Sequence, residues 1–127
     1  MKILLDTHTF LWFLGGASEL SKQARMLIEN PIHEKYISIA SFWEIAIKTS
    51  LEKLILEVPF SELKSEAIKN SFQILPITFG DTLQLCTLPF HHRDPFDRII
   101  ISQAKENNLT LVSHDSNFSL YEVNLLW

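Results

Sequence analysis

Short apolar runs alternate with amphipathic segments along this chain, and this alternation limits the folds open to it. Residues 2–5, 36–39, 73–77 and 109–112 are mostly aliphatic, β-branched or aromatic and predict strands, with a last edge strand at 123–126. Helices are predicted between them, at about 6–14, 21–30, 40–51, 60–70, 78–88 and 94–107. We therefore expect an α/β fold with a mainly parallel central sheet of roughly four to five strands, flanked by helices.

Composition limits the class of protein. A chain of 127 residues, 46% hydrophobic and 20% charged, predicts a single globular domain spanning 1–127. We find no signal-peptide pattern and no apolar run long enough to span a bilayer, so we expect a cytoplasmic protein. One cysteine, Cys86, excludes an internal disulfide, and we expect it in the core. The net charge of -4 disfavours a broad nucleic-acid surface, so a polyanion would need local basic groups or metal ions.

Acidic residues follow the predicted strands or open the helices beside them. In a parallel sheet the carboxyl ends of the strands meet at one edge, where ligands bind. The acids expected at this edge are Asp6, Glu44, Asp94, Asp97 and Asp115. Such carboxylates repel one another unless a cation neutralises them, and Mg²⁺ or Mn²⁺ is the natural partner of oxygen ligands. Helix N-termini nearby favour phosphate, so the pattern indicates metal-assisted phosphoryl chemistry.

Each acid also has a purely structural interpretation. Asp94 precedes a proline and suits a helix N-cap, and Asp6 could cap the first helix. Asp115 could be a turn residue, and Glu44 could pair with Lys48 one turn later. The joint placement at one edge favours the functional interpretation over these separate ones.

Histidine and aromatic residues are less informative. His91, His92 and His114 lack the one-turn spacing of a helical zinc pair, so zinc is not favoured. The three tryptophans are interpreted as core residues and not as base-stacking platforms, as are the nine phenylalanines. The tryptophans are Trp12, Trp43 and Trp127.

Four blocks, in order along the whole chain, resemble the PIN-domain toxins of virulence-associated type II toxin–antitoxin pairs. Leu4–His8 resembles the opening strand with its first acid, and Ser41–Lys48 resembles the helix of the second acid. His92–Arg98 is the most specific block, and Leu109–Asp115 resembles the strand of the fourth acid. The Leu-Leu-Trp ending also matches the family.

The resemblance implies a PIN-like three-layer sandwich and a catalytic, metal-binding quartet. Asp6, Glu44 and Asp97 would be the core metal-binding acids, and Asp115 would complete the set. Asp94 would lie near the site as an auxiliary acid or as the helix cap. The hydroxyl groups of Thr7 and Ser113 would orient the carboxylates. Four residues would steer the RNA backbone: Arg93, Arg98, Lys48 and His92.

The same resemblance implies an Mg²⁺- or Mn²⁺-dependent endoribonuclease that forms a homodimer and is silenced by a cognate antitoxin. Metal-activated water would attack an RNA phosphodiester in line. The chain departs from the family at two places. Glu52 stands where glycine is usual, and Ser113-His114 replaces a more usual Thr-Arg, which removes a positive charge near the site.

Three alternatives stay open. A PIN nuclease that is not a toxin would have nearly the same sequence. A non-catalytic module could use the acidic edge to dock a basic peptide. A phosphatase with Asp6 as covalent nucleophile is disfavoured, because the haloacid-dehalogenase-like pattern wants an aspartate where His8 stands.

Overall fold

The central element is a five-stranded parallel sheet, seen in a computed structural model that describes all 127 residues. Its strands are β1 (Lys2–Leu5), β2 (Glu34–Ser38), β3 (Phe72–Leu75), β4 (Thr110–Val112) and β5 (Leu125–Leu126). They lie in the order β3-β2-β1-β4-β5, so β1 is central and pairs with β2 and β4. Leu5 is in register with Ile37 and with Val112, which brings the residues that follow these strands to one edge.

Six helices connect the strands: α1 (Thr7–Gly15), α2 (Lys22–Glu29), α3 (Ile39–Ser50), α4 (Leu63–Lys69), α5 (Phe79–Cys86) and α6 (Pro95–Glu106). Short 3-10 turns occupy Phe60–Glu62 and Phe118–Leu120. All the predicted helices are present, although the one expected from residue 60 begins with a 3-10 turn. Residue 39 was predicted to end a strand. It begins α3 instead, because the Ser38 hydroxyl caps the amide of Ala40 at 3.0 Å.

Side chains alternate across the sheet and create two cores. Ile3 and Leu5 of β1 point to one face, where they join Phe10 of α1, Ile28 of α2 and further residues of α3 and α4. Leu4 points to the other face and packs with the isoleucines of α6, at 99–101, and with Phe118. Helices therefore cover both faces, and the predicted α/β three-layer sandwich is confirmed.

Four helices, α1, α3, α4 and α6, are followed by a residue in the left-handed conformation, and only the one after α1 is glycine. After α1, Gly16 has φ 63°. After α3, Glu52 has φ 57°, and the amide of Lys53 donates to the carbonyl of Lys48 at 2.9 Å. This backbone closes the helix end in the usual glycine geometry, so glutamate adopts here a conformation that L-residues disfavour.

Several residues expected in the core lie on the surface. Cys86 ends α5 and is exposed, and Trp43 of α3 is 60% exposed. Phe79, the first residue of α5, is 77% exposed, and Phe90, which follows α5 and lies under the Arg98 guanidinium, is 79% exposed. The core predictions for these side chains are therefore wrong. No helix has the length and apolarity needed to cross a membrane.

Candidate active site

Asp6 lies where β1 ends and α1 begins. Its Oδ1 accepts a hydrogen bond from the Thr9 amide at 3.0 Å and caps the helix. Its Oδ2 accepts from the Ser113 hydroxyl at 2.7 Å. The side chain is buried, which raises the pKa of this carboxyl above its usual value, while the hydrogen bonds from Thr9 and Ser113 oppose that rise.

Ser113 links two acids that are distant in sequence. While its hydroxyl donates to Asp6, the same oxygen accepts from the amide of Asp115 at 3.1 Å. Asp115 also accepts from the Asn117 amide at 2.9 Å and so holds the turn after β4. The structural and functional interpretations of Asp115 are thus compatible.

Glu44 has one satisfied and one unsatisfied oxygen. It lies on the second turn of α3 and is only 4% exposed. Its Oε2 accepts from Lys48 Nζ at 2.8 Å, whereas its Oε1 is buried and has no hydrogen-bond partner. A buried carboxylate oxygen without a partner is costly, so this atom is available to a hydrogen-bond donor or to a cation.

Asp97 lies in the first turn of α6, on the side of the helix nearest the other acids. Burial raises the pKa of its carboxyl to about 6, and the negative charge of Asp94 adds to the rise. The charges of Asp115 and Glu44 raise it further, while a hydrogen bond from His92 opposes them. Acids from three separate segments therefore act on one carboxyl.

His92 and Tyr121 form a hydrogen-bonded support behind Asp97. The Tyr121 oxygen accepts from Arg98 Nη1 at 3.1 Å and from the His92 amide at 3.3 Å, which uses both of its accepting positions. Its own proton is therefore donated to His92 Nδ1, 2.7 Å away. The tautomer with hydrogen on Nε2 follows, and that nitrogen lies 3.2 Å from Asp97 Oδ2.

Two of the four residues expected to steer RNA are not available for that role. Arg98 is only 4% exposed, and its guanidinium donates to the carbonyls of Pro89 and Leu88 at 2.7 and 3.3 Å. His92 is largely buried and oriented toward Asp97. The steering predictions for Arg98 and His92 are wrong, because both side chains are committed to internal hydrogen bonds.

The other two residues expected to steer RNA, Arg93 and Lys48, are accessible to solvent. Arg93 is exposed, just before the cap of α6. Lys48 pairs with Glu44 but keeps 40% of its side chain exposed. Asp94 caps α6 by accepting from the Asp97 amide at 2.9 Å.

One predicted orienting hydroxyl is replaced by another group. Thr7 donates to Ser41 at 2.9 Å and to no carboxylate, so its predicted contact with the acids is wrong. The amide of Thr9 takes that place on Asp6 because Asp6 caps the helix. Sequence reasoning also missed Tyr121, which lies 29 positions after His92 and carries no local signal.

The donor set suits a hard divalent cation. Carboxylate oxygens from Asp6, Glu44, Asp97 and Asp115 are the ligand type that Mg²⁺ and Mn²⁺ prefer, and Glu44 Oε1 lacks a partner. No three acidic, histidine or cysteine side chains are already arranged to hold an ion. Ion binding would therefore require these carboxylates to turn toward a common point.

A cavity of about 250 Å³ opens beside Asp6 and Asp115. Its remaining wall comes from His8, Trp12 and His114. A larger cavity, of about 500 Å³, lies near the end of α6 and contains none of these acids.

The fold and the site define an α/β protein that gathers carboxylates from separate chain segments at the carboxyl edge of a parallel sheet. The chain belongs to the PIN domain family, whose family model matches residues 3–124. PIN domains are nucleases, a class that generally uses divalent metals. A comparison with curated proteins returns no match.

Solved structures share the fold. VapBC2 from Rickettsia felis, bound to a DNA fragment from its promoter, has a TM-score of 0.72 and 17% identity, covering 99% of this chain and 98% of that one. VapBC-1 from nontypeable Haemophilus influenzae gives 0.68 and 14%, covering 99% and 97%. A toxin–antitoxin complex from Klebsiella pneumoniae gives 0.66 and 18%, covering 98% and 96%.

Proposed function

We propose that this chain is a metal-dependent endoribonuclease that acts in the cytoplasm as the toxin of a type II toxin–antitoxin pair. The observation that carries the proposal is the gathering of acids from separate segments at the carboxyl edge of the sheet, where Ser113 bonds both Asp6 and Asp115 and the buried Glu44 Oε1 has no hydrogen-bond partner. Carboxylates that disfavour one another's ionisation form a site ready for cations. Membership of a nuclease family makes a phosphodiester the natural substrate.

Asp6, Glu44, Asp97 and Asp115 would hold the ion or ions. Bound Mg²⁺ or Mn²⁺ lowers the pKa of a water and stabilises charge on a phosphodiester. Ser113 and the Thr9 amide fix the two oxygens of Asp6, and His92 holds one oxygen of Asp97. These contacts leave Glu44 and Asp115 freer than Asp6 and Asp97 to turn toward an ion.

Lys48 and Arg93 are the cations left to contact the RNA backbone. Lys48 also neutralises Glu44 in the metal-free protein, and it would be released toward phosphate when an ion replaces it on the carboxylate. Arg93 precedes the N-terminus of α6, whose dipole favours the same anion.

Two partners belong to this proposal. Similarity to toxin–antitoxin complexes supports an antitoxin that binds this chain. The outer face of α3 supports a homodimer, since Ile39, Trp43 and Ile47 are exposed at four-residue spacing. Trp43 packs edge-on against Phe96, with 5.2 Å between ring centroids, which extends this apolar face toward α6.

The test is cleavage of total RNA by the purified chain with Mn²⁺ or Mg²⁺, with chelator, and with Asp97→Asn. Discrete fragments that require both the metal and Asp97 are expected. A folded, antitoxin-free chain that cleaves no RNA with either metal would refute the proposal. That outcome would favour the alternative of a docking module, whose arginine-bearing peptide would then pair with the free Glu44 oxygen.

A further inference from the structure

Four aromatic rings form a continuous wall beside the acids. His8 lies 5.9 Å from Trp12, Trp12 lies 6.0 Å from Trp127, and Trp127 lies 5.0 Å from His114, measured between ring centroids. We call these four residues the aromatic wall. The wall joins the start of α1 to the segment after β4 through a ring that follows β5.

Only the two tryptophans of the wall, Trp12 and Trp127, pack against the core. His8 and His114 are both exposed, and the tryptophans are only partly buried. His114 lies nearly flat on Trp127, with 25° between the ring planes, so Trp127 supports one face of a side chain that is otherwise exposed. His8, Trp12 and His114 line the cavity of about 250 Å³ that also contains Asp6 and Asp115.

We propose that this cavity binds an unpaired nucleobase of the RNA substrate, next to the phosphate that a divalent cation would hold at the acids. The proposal rests on the proposed ribonuclease function and names the part of the substrate that the chain recognises. A nucleotide whose phosphate lies at Asp6 and Asp115 has its base within reach of the rings, because the same cavity contains both sets of groups. Flat aromatic side chains bind bases by stacking, whatever the base.

Base stacking would also supply affinity that the net negative charge of this chain does not. The chain has a net charge of -4, and two of its predicted phosphate-binding cations are committed to internal bonds. A nuclease of this charge gains affinity from contacts that do not depend on a basic surface. The aromatic wall supplies such contacts, and it takes only bases that are not already paired and stacked in a duplex.

Binding can be measured without cleavage in the Asp97→Asn background. The probe is a short single-stranded RNA that carries 2-aminopurine, whose fluorescence is quenched when it stacks. His8→Ala and His114→Ala remove exposed rings of the wall. His33→Ala is the matched control, because His33 precedes β2 and bonds the terminal amine at 3.1 Å instead of lining the cavity.

We expect each wall variant to bind the probe about tenfold more weakly and to lose quenching, while His33→Ala does neither. Binding of duplex RNA should be equally weak in all of them. Unchanged affinity and quenching in both wall variants would overturn the subsite. Absence of any probe binding by the Asp97→Asn protein with an intact wall would overturn it too.

The same experiment separates this subsite from the ribonuclease proposal. Wall-dependent quenching in a protein whose Asp97 form never cleaves RNA would keep the subsite and reject the nuclease. Metal-dependent cleavage that neither wall substitution changes would keep the nuclease and reject the subsite.

Discussion

The Tyr121 oxygen lies 2.7 Å from His92 Nδ1, and the hydrogen bond assigned there leaves the ring hydrogen on Nε2, the nitrogen that faces Asp97. Arg98 Nη1 in turn donates a hydrogen bond to the Tyr121 oxygen at 3.1 Å. A buried arginine that was expected to bind substrate thus supports the carboxylate indirectly, through a phenol and an imidazole.

Tyr121→Phe should remove the group that sets the tautomer. Groups that orient metal-ligating side chains typically contribute 10–100-fold to affinity, so we expect about tenfold weaker Mn²⁺ binding and a lower kcat. Nitrogen-15 NMR of His92 should show hydrogen on Nε2 in the parent protein and a loss of that preference in the variant. Tyr36→Phe is the control, since Tyr36 bonds Glu34 on the exposed side of β2. Equal metal affinity in both variants would contradict the assigned support.

Asp97→Asn should abolish RNA cleavage while stabilising the metal-free protein at neutral pH. The substitution removes a carboxylate whose charge is disfavoured by burial and by Asp94, so we expect a gain of about 1 kcal/mol. Urea unfolding in chelator measures the gain. Glu57→Gln, at an exposed position, should leave both activity and stability unchanged. A destabilised Asp97→Asn protein would show that the carboxylate is structural.

Stability of the metal-free protein should fall as the pH rises through about 6. The pKa of Asp97 is raised in the fold from 3.8 to about 6, so its contribution is complete below pH 3.8 and is lost as the carboxyl ionises. Asp6 contributes in the same direction. We expect the difference in free energy of unfolding between the parent protein and Asp97→Asn to change by about 1–2 kcal/mol over this window. Saturating Mn²⁺ should cancel the loss above pH 6, and a pH-independent difference would contradict the raised pKa.

Glu52→Gly should stabilise the fold. Glu52 has φ 57°, a region that costs a non-glycine residue about 1 kcal/mol, and part of this gain is offset by the greater freedom of glycine in the unfolded chain. A gain of about 0.5 kcal/mol is expected in thermal unfolding. Gly16→Ala, at the equivalent turn with φ 63°, should destabilise by about 1 kcal/mol. Similar effects of the same sign in both variants would refute the argument.

Trp43→Lys should convert a dimer into a monomer. The substitution places a charge at the centre of the apolar face formed with Ile39 and Ile47. Light scattering at micromolar concentration should show a dimer for the parent protein and a monomer for the variant. Ile32→Lys, at a position that is 74% exposed elsewhere, should remain dimeric. A monomeric parent protein would remove the dimer from the proposal.

Sequence reasoning predicted the architecture because its signals are local. Apolar runs, caps such as Asp94 and Ser21, and the strand–helix alternation depend on residues a few positions apart. Because parallel strands share one carboxyl edge, it also predicted that the acids following β1 and β4 lie at that edge. Local sequence signals do not predict the direction in which each side chain points.

The direction of the Arg98 side chain could not be predicted from the sequence. Helical spacing cannot tell whether a guanidinium turns outward or inward to the carbonyls of Leu88 and Pro89. Trp43 was expected inside because tryptophan is usually buried, yet helix α3 turns it outward. Tyr121 and the Thr9 amide gained their roles only from contacts that the fold creates.

The Ser113–Asp6 hydrogen bond joins residues 107 positions apart. It forms only when β4 pairs with β1, and long-range pairings of this kind form late in folding. A partly synthesised chain ending before β4 lacks both Ser113 and Asp115. The acidic site therefore assembles only after residues 113–115 have been synthesised, and a chain truncated before β4 lacks it.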